Sequence, residues 1–202
     1  MSTSVRRRTR GDRYHHGDLR AEILRAASEI LEEQGVGTLS LREAARRAGV
    51  SHNAPYRHFA DRDALLVALA AEGFAQLGRA LDAGGAQGAR GRGEAYVRFA
   101  LEHPQRFRLM FGGLLRVDAH PALREAAART YEGLLRAFEP LAGAEGAPFA
   151  AAAAWSMTHG LAQLLLDGHF SHATRAAGDA VTFVRRVLGA VRFARAAPSA
   201  EA

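Results

Sequence analysis

The chain has 202 residues, of which 48% are apolar and 24% are charged, a composition typical of a soluble globular protein with one or two domains. Its formal net charge of +6 favours an anionic partner such as a nucleic acid. The absence of cysteine excludes disulfide bonds, thiolate metal sites and a cysteine nucleophile.

The N-terminus is predicted to be a disordered basic arm over residues 1–13, which contain five arginines. No apolar signal core follows the arm. The most apolar stretch, 147–166, is interrupted by polar residues and is predicted to be a buried helix rather than a membrane span. We therefore expect a cytoplasmic protein. The arm could enter the minor groove of DNA or act as a solvated tail, and the sequence does not decide between these two hypotheses.

The predicted fold is all-α, with about nine helices, because apolar residues recur every three or four positions and no alternating strand pattern is present. The first helix is expected to begin at an Asp18 cap and to end at Gly35. Ser40 and Glu43 form a capping box that predicts the start of a second helix, which ends at Gly49.

A third helix is predicted over 52–59, with Ser51 as its cap and Phe59 as its anchor in the core. Pro55 has no N–H to donate and restricts the residue before it, so it limits the first turn of this helix. Asp61 is expected to cap a fourth helix. The buried stripe of that helix is Leu65, Leu66, Leu69, Gly73, Leu77 and Leu81.

Glycine and proline residues divide the rest of the chain. The glycine-rich segment 84–93 lacks periodicity and is predicted to be a loop between two domains. Asp179 is expected to begin the last helix, which has an apolar stripe. Further helices are predicted at 94–103, 104–111, 121–138 and 149–166, with a second loop at 140–147.

The predicted third helix carries small and polar side chains where a core helix would carry leucine. Asparagine and histidine can hydrogen-bond base edges, and alanine can contact a thymine methyl. Tyrosine and arginine can bind phosphates, which fixes register. A plain helical bundle with a solvated basic face does not explain the order of capped helix, glycine turn and polar helix. The residues predicted to contact DNA are Ser40, Arg42, Ser51, His52, Asn53, Ala54, Tyr56, Arg57, His58 and Arg62.

The sequence LREAARRAGVSHNAPYRHFADRDALL, preceded by LRAEILRAASEILEEQG, resembles the N-terminal domain of the TetR family of bacterial transcription regulators. The resemblance covers about residues 14–78 and implies a helix-turn-helix over 40–59. It implies that Tyr56 and His58 face phosphates or base edges. It also places Arg62 where the family often has a phosphate-binding lysine.

Two shorter motifs, YHHGDL at 14–19 and WSMTHG at 155–160, resemble a subgroup of that family whose C-terminal domain is named for a Trp-His-Gly pattern. The family resemblance implies that residues 85–195 form a ligand-binding and dimerisation domain.

Aromatic, methionine and histidine residues of the second part could line an apolar ligand pocket with a few polar groups, or could simply fill the core. No cofactor is predicted, and the histidines lack the three or four converging ligands that a zinc ion needs. The pocket candidates are Phe99, His103, Phe107, Met110, Phe111, Leu114, Tyr131, Leu135, Trp155 and His159.

The two last helices carry more apolar surface than one small core needs, which predicts a two-fold homodimer. Its predicted interface residues are Leu161, Leu165, Val184, Val187, Leu188 and Val191.

The combined prediction is a homodimeric, ligand-responsive repressor whose partners are a palindromic DNA operator and a small-molecule effector. A two-fold dimer would hold its reading helices about 34–36 Å apart, one turn of DNA. The alternative is an architectural protein that binds any duplex through its arginines. An enzyme is not expected, since the sequence has no nucleophile elbow, phosphate loop or HExxH motif.

Overall fold

The computed structural model describes residues 19–191 and contains eight α-helices and three short 3-10 turns over that range. No strand occurs within it, so the prediction of an all-helical fold is confirmed. The predicted Asp18 cap and basic arm lie outside the described residues. The helices are α1 (Leu19–Gln34), α2 (Leu41–Arg47), α3 (Arg62–Gly84), α4 (Gly88–Glu102), α5 (Pro104–Phe111), α6 (Pro121–Leu166), α7 (Ser171–Ala177) and α8 (Ala180–Ala190).

Helix α3 is the centre of the molecule and packs against α1, α4, α5 and α6. Its apolar stripe is buried as predicted, with Leu65 and Leu69 fully inaccessible. Asp61 caps the helix by accepting a hydrogen bond from the backbone N–H of Ala64 at 2.8 Å. Because α3 runs without a break from the N-terminal helices into the second part, one element connects both halves of the chain.

The helical run 62–102 is long and apolar enough to cross a membrane, with a mean hydropathy of 1.4 over its most apolar window. Half of that window is buried inside the protein. The same run supplies α3 and α4, which pack closely on each other. This apolarity is what a core helix pair of a water-soluble protein requires.

The predicted loop at 84–93 is wrong, since α3 continues to Gly84 and α4 begins at Gly88 after a single 3-10 turn. Gly84 and Gly91 lie against each other where the two helices meet. A Cβ atom added to Gly84 would lie 2.5 Å from the carbonyl oxygen of Gly91. The glycines therefore serve the close approach of two helices, and not the flexibility of a loop.

The predicted loop at 140–147 is also largely helical. Helix α6 extends over 46 residues, and only Gly143, with φ 73° and ψ 168°, departs from helical geometry. The positive φ of Gly143 interrupts the regular backbone, so α6 consists of two helical segments, 121–142 and 144–166, that meet at a kink. The predicted break between two helices is present, but it is one residue rather than a loop of eight.

Helix α5 joins the N-terminal helices to the second part. The carboxylate of Glu32, on α1, accepts hydrogen bonds from the backbone N–H groups of Gln105 and Arg106, each at 3.1 Å. These N–H groups belong to the first turn of α5 and have no partner within their own helix. The buried side chain of Arg106 also hydrogen-bonds Gln76 on α3 and Ser28 on α1. Three helices are thus tied together at the start of α5.

Candidate functional site

The turn after α2 reverses the chain within a few residues. Ser40 caps α2 with its hydroxyl, which accepts from the backbone N–H of Glu43 at 3.1 Å. The reciprocal half of the predicted capping box is absent, because the Glu43 carboxylate pairs with Arg46 instead. Gly49 ends α2 with φ 70°, and the N–H of Val50 reaches back to the carbonyl of Ala45 at 3.0 Å. This pairing is a Schellman motif, which needs a left-handed residue at the glycine.

The element after the turn is shorter than predicted. Only Ala54–Arg57 is helical, as a 3-10 turn, and its N-terminus has no side-chain cap. The backbone carbonyl of Ser51, not its hydroxyl, accepts the N–H of Ala54 at 2.9 Å. Pro55 explains the difference, since it lacks a donor and confines the residue before it.

The 3-10 turn presents two faces. Pro55 and Phe59 point into the core and are buried, and the turn itself packs on α2. Tyr56 is 49% exposed, and Ala54 is half-buried. Because Pro55 and Phe59 anchor the turn in the core, the other side chains of residues 51–58 form one outward-facing strip. The other exposed side chains of this strip are those of Ser51, His52, Asn53, Arg57 and His58.

Some of the arginines near this strip are paired with carboxylates and others are not. Arg46 pairs with Glu43 at 2.6 Å, and Arg47 pairs with Glu33 at 2.7 Å. The hydrogen bond from each arginine lowers the pKa of its carboxyl partner. Among the described residues, the exposed Arg42 and Arg57 have no hydrogen bond or ion pair. Both guanidinium groups are therefore available to bind an anion.

Two predicted DNA contacts have structural partners. The hydroxyl of Ser40 holds the start of α2, as described above. The guanidinium of Arg62 donates from Nε to the carbonyl of Leu39 at 2.8 Å and from Nη2 to that of Val36 at 2.6 Å. Arg62 therefore ties the start of α3 to the segment before α2. Any contact it makes with phosphate depends on its remaining N–H donors.

A second feature is a largely apolar cavity of about 330 Å³ between α3, α4, α5, α6 and α8. Four of the predicted pocket residues line it, namely Met110, Phe111, Tyr131 and Trp155. Sequence reasoning missed several other lining residues, among them Phe74, Arg90, Arg92, Tyr96, Thr130 and Thr158.

The other predicted pocket residues lie elsewhere. Phe107 is fully buried beside the cavity wall and stacks on His159, with ring centroids 5.3 Å apart. Phe99 and His103 line a different depression, next to Arg106. Leu135 packs in a separate small cluster around Phe138. Leu114 is 55% exposed. These side chains do lie in the second part of the chain, as predicted, but they are not on the helix faces that line the cavity.

Tyr96 is the polar centre of the cavity wall. Its hydroxyl accepts a hydrogen bond from Nε1 of Trp155 at 3.1 Å and lies 2.8 Å from Nδ1 of His159. Burial raises the pKa of Tyr96 well above its usual value and lowers the pKa of His159. In the neutral tautomer that carries its hydrogen on Nε2, His159 accepts a hydrogen bond from the Tyr96 hydroxyl at Nδ1, while the same hydroxyl accepts one from Trp155.

Trp155 and His159 belong to the WSMTHG motif. Their spacing of four residues puts both on one helix face, which is the signal that could have predicted a shared partner. Tyr96 itself has no comparable local signal.

The predicted dimer-interface residues differ in how far they are buried within a single chain. Leu161, Val184 and Leu188 are buried within the protomer, and Val191 and Leu188 line the cavity. Leu165 and Val187 are half-buried against the same core. Leu161, Val184 and Leu188 face the core of their own chain, and α8 packs on α4. Leu165, Val187 and Val191 keep part of their surface exposed, so the predicted interface stays a prediction.

Together these features define a helical DNA-binding regulator, with an exposed basic helix-turn-helix and a second helical domain that encloses a cavity. Residues 23–69 match the family described as bacterial regulatory proteins, tetR family. Residues 89–191 match the tetracyclin repressor-like C-terminal domain. The chain belongs to the TetR family of transcriptional regulators. The matched descriptions name no Trp-His-Gly subgroup, which stays a prediction.

Similar solved structures agree with this assignment. A protein of unknown function from Rhodococcus sp. RHA1 is 36% identical, with a TM-score of 0.72, and the match covers 88% of this chain and 94% of that one. The multidrug binding protein EbrR, complexed with imidazole, is 27% identical, with a TM-score of 0.56 and coverage of 96% and 100%.

A third structure is described as a possible TetR family transcriptional regulator from Streptomyces coelicolor A3(2). It is 27% identical, with a TM-score of 0.52 and coverage of 71% and 69%. No match was found among curated protein sequences.

Proposed function

We propose that this chain is a ligand-responsive, homodimeric repressor that binds a palindromic operator and acts in the cytoplasm. In this proposal residues 14–78 bind DNA, and residues 85–195 bind the effector and form the dimer. The observation that carries it is the exposed strip around the 3-10 turn, whose anchors Pro55 and Phe59 are buried while Tyr56 and Arg57 face outward.

The strip suits DNA by both shape and charge. The turn projects from the fold with polar side chains that can reach base edges. Arg42 and Arg57 add unpaired positive charge, which can replace condensed counterions on the phosphates. An architectural protein that binds any duplex would need only the positive charge to bind the phosphates. The ordered, buried anchoring of the strip favours sequence-specific reading.

Replacing Tyr56 and Arg57 together with Ala should weaken operator binding by about tenfold or more, since one phosphate or base contact is lost for each side chain. The salt dependence of binding should also become shallower by about one counterion, from the loss of Arg57. The measurement is a titration of fluorescent operator duplex, selected from a random pool, at several salt concentrations.

Arg175→Ala is the matched control, because Arg175 is exposed on α7, which packs on α8 and not on the helix-turn-helix. Unchanged affinity and salt slope in the double variant would contradict the proposed reading surface. Equal displacement of the wild-type protein by operator and unrelated duplex would instead indicate the architectural function.

For the dimer we propose the outward face of the second half of α6. Phe149 is 79% exposed and Leu164 is 41% exposed. Between them lie the exposed small residues Ala152, Ala153 and Ser156, at helical spacing on the same face. An exposed apolar face of this kind marks an association surface, and its small side chains would let two copies of α6 approach closely.

The double variant Phe149→Glu, Leu164→Glu should be monomeric, because two like charges would face each other at a self-complementary interface. Light scattering after size exclusion measures the mass directly. Leu114→Glu, at a position 55% exposed outside this face, should leave the wild-type mass unchanged. A dimer that persists in the double variant would place the interface elsewhere.

The effector site is proposed to be the cavity between α3, α4, α5, α6 and α8. Its volume of about 330 Å³ lies within the range of small-molecule pockets. Ligand binding by the similar protein EbrR, which is described as multidrug binding and holds imidazole, supports a ligand site in this chain. An effector could change operator affinity only by binding more tightly to one arrangement of the dimer than to the other.

A further inference from the structure

The cavity wall offers a ligand few neutral polar partners, because three of its four hydroxyl groups, all but that of Tyr131, are hydrogen-bonded within the protein. The Thr158 hydroxyl donates to the carbonyl of Ala154 at 2.8 Å. The Thr130 hydroxyl lies 3.0 Å from the carbonyl of Phe74. Tyr96 is bonded to Trp155 and His159, as described above. A ligand body placed here meets mainly aliphatic and aromatic carbon, so it has to be apolar.

Two arginines near the start of α4 form part of the cavity wall at that end of the helix. Arg90 and Arg92 both line it, and within residues 19–191 neither guanidinium has a hydrogen bond or an ion pair. The Arg92 guanidinium lies against Gly85, where a methyl group would collide with it. The Arg90 guanidinium lies over Gly189 of α8. Gly85 therefore leaves the room that the Arg92 guanidinium occupies, whereas a methyl group at Gly189 would make only an ordinary contact with Arg90.

The charged side chains that line the cavity are all positive. Its described lining contains Arg90 and Arg92 but no aspartate or glutamate. The adjoining depression around Arg92 contains Asp82, but also Arg129 and Arg136, and no ion pair joins Arg92 to Asp82. An anionic head group at this end would be attracted, whereas a cationic one would face two like charges without compensation.

We propose that the cavity binds an amphipathic organic anion, with its apolar body among the aromatic side chains and its carboxylate-like head at Arg90 and Arg92. This inference rests on the proposed ligand-responsive function and names the chemical class of its effector. Arginine suits the head group because its planar fork can bind a carboxylate through two parallel hydrogen bonds.

The chain carries its own reporter for a test. Trp155 is the only tryptophan of the sequence, and it lines this cavity, so intrinsic tryptophan fluorescence reports on ligands that bind here. Three probes with the same ten-carbon body separate the head groups: decanoate, decanol and decyltrimethylammonium, each used below its micellar concentration. We expect decanoate to bind about tenfold more tightly than decanol, and decyltrimethylammonium to bind more weakly than either.

The double variant Arg90→Gln, Arg92→Gln should lose this preference, with decanoate binding about tenfold more weakly and decanol binding unchanged. Arg98→Gln is the control, because Arg98 is exposed on the same helix and does not line the cavity. Circular dichroism checks that both variants are folded.

Equal affinity for all three probes, tighter binding of decyltrimethylammonium, or an unchanged decanoate preference in the double variant would overturn the inference. Operator titration, as described above, is run on the same samples. Specific operator binding without a decanoate preference would refute only the proposed ligand class. A decanoate preference without specific operator binding would instead refute the repressor function.

Discussion

Replacing Phe107 with Ala is expected to lower the free energy of unfolding by about 3–5 kcal/mol, the usual cost of removing a buried aromatic side chain. Phe107 is fully inaccessible. Its ring lies 4.9 Å from that of Phe111 and 5.9 Å from that of Tyr96. Deleting it leaves a void that its neighbours, held in three different helices, can fill only in part.

The same change should also reach the cavity. Phe107 stacks on His159, which is the hydrogen-bond partner of Tyr96. We therefore expect the emission of Trp155 to shift together with the loss of stability. Urea unfolding at a fixed protein concentration gives the free energy, and a thermal scan should show a melting temperature lower by about 10 °C, from roughly 2–4 °C per kcal/mol for a chain of this size.

Leu114→Ala is the matched control, since Leu114 is 55% exposed and should change the unfolding free energy by less than about 0.5 kcal/mol. If Phe107→Ala cost no more than this control, the aromatic cluster would not be the centre of the core.

The second large effect is expected where α3 meets α4. In Gly91→Ala the new methyl group would collide with the carbonyl oxygen of Gly84 and with the side chain of Gln87. Neither partner can yield easily, because one is backbone and the other lies in the tight turn between the helices. The two helices must separate, and we expect a net loss of about 1–3 kcal/mol despite the better helix propensity of alanine.

Gly78→Ala provides the comparison on α3. Its added Cβ would lie 3.6 Å from the Thr130 hydroxyl, an ordinary contact, so the variant should be neutral or more stable by up to about 1 kcal/mol. Similar unfolding curves for Gly91→Ala and Gly78→Ala would contradict the close packing at this corner.

Local signals were the part of the fold that the sequence could predict. Ser40 and Asp61 act on backbone N–H groups three residues away, and Gly49 ends its own helix, so each effect is contained within a few neighbouring residues. The stripe around Leu65 and Leu69 predicted a buried face correctly, because burial follows from helical spacing whatever the partner is.

The wrong predictions have a common physical cause, which is that they depended on a distant partner. Gly91 was predicted to be a loop residue. A glycine is needed there because the backbone of Gly84, which belongs to another helix, lies too close for a side chain. Val184 and Leu188 show the same limit: an apolar stripe does not say how much of it packs on α4 of the same chain, where both are buried, and how much meets a second copy.

Pro55 lies between these two cases. Its effect on the start of the third element was predicted, but the reduction of that element to a single 3-10 turn was not. The DNA-contacting strip therefore follows from the sequence more closely than the cavity does. Tyr96 joins side chains about 60 positions further along the chain, which no local pattern encodes.

The hydrogen bonds from Gln105 and Arg106 to Glu32 give α5 a mechanical property. A helix of eight residues is only about 12 Å long and moves as a rigid rod. Its first turn is fastened to α1, and its last turn carries Met110 and Phe111 in the cavity wall. The short helix α5 is therefore a direct physical link between the wall of the cavity and α1, the first helix of the DNA-binding part.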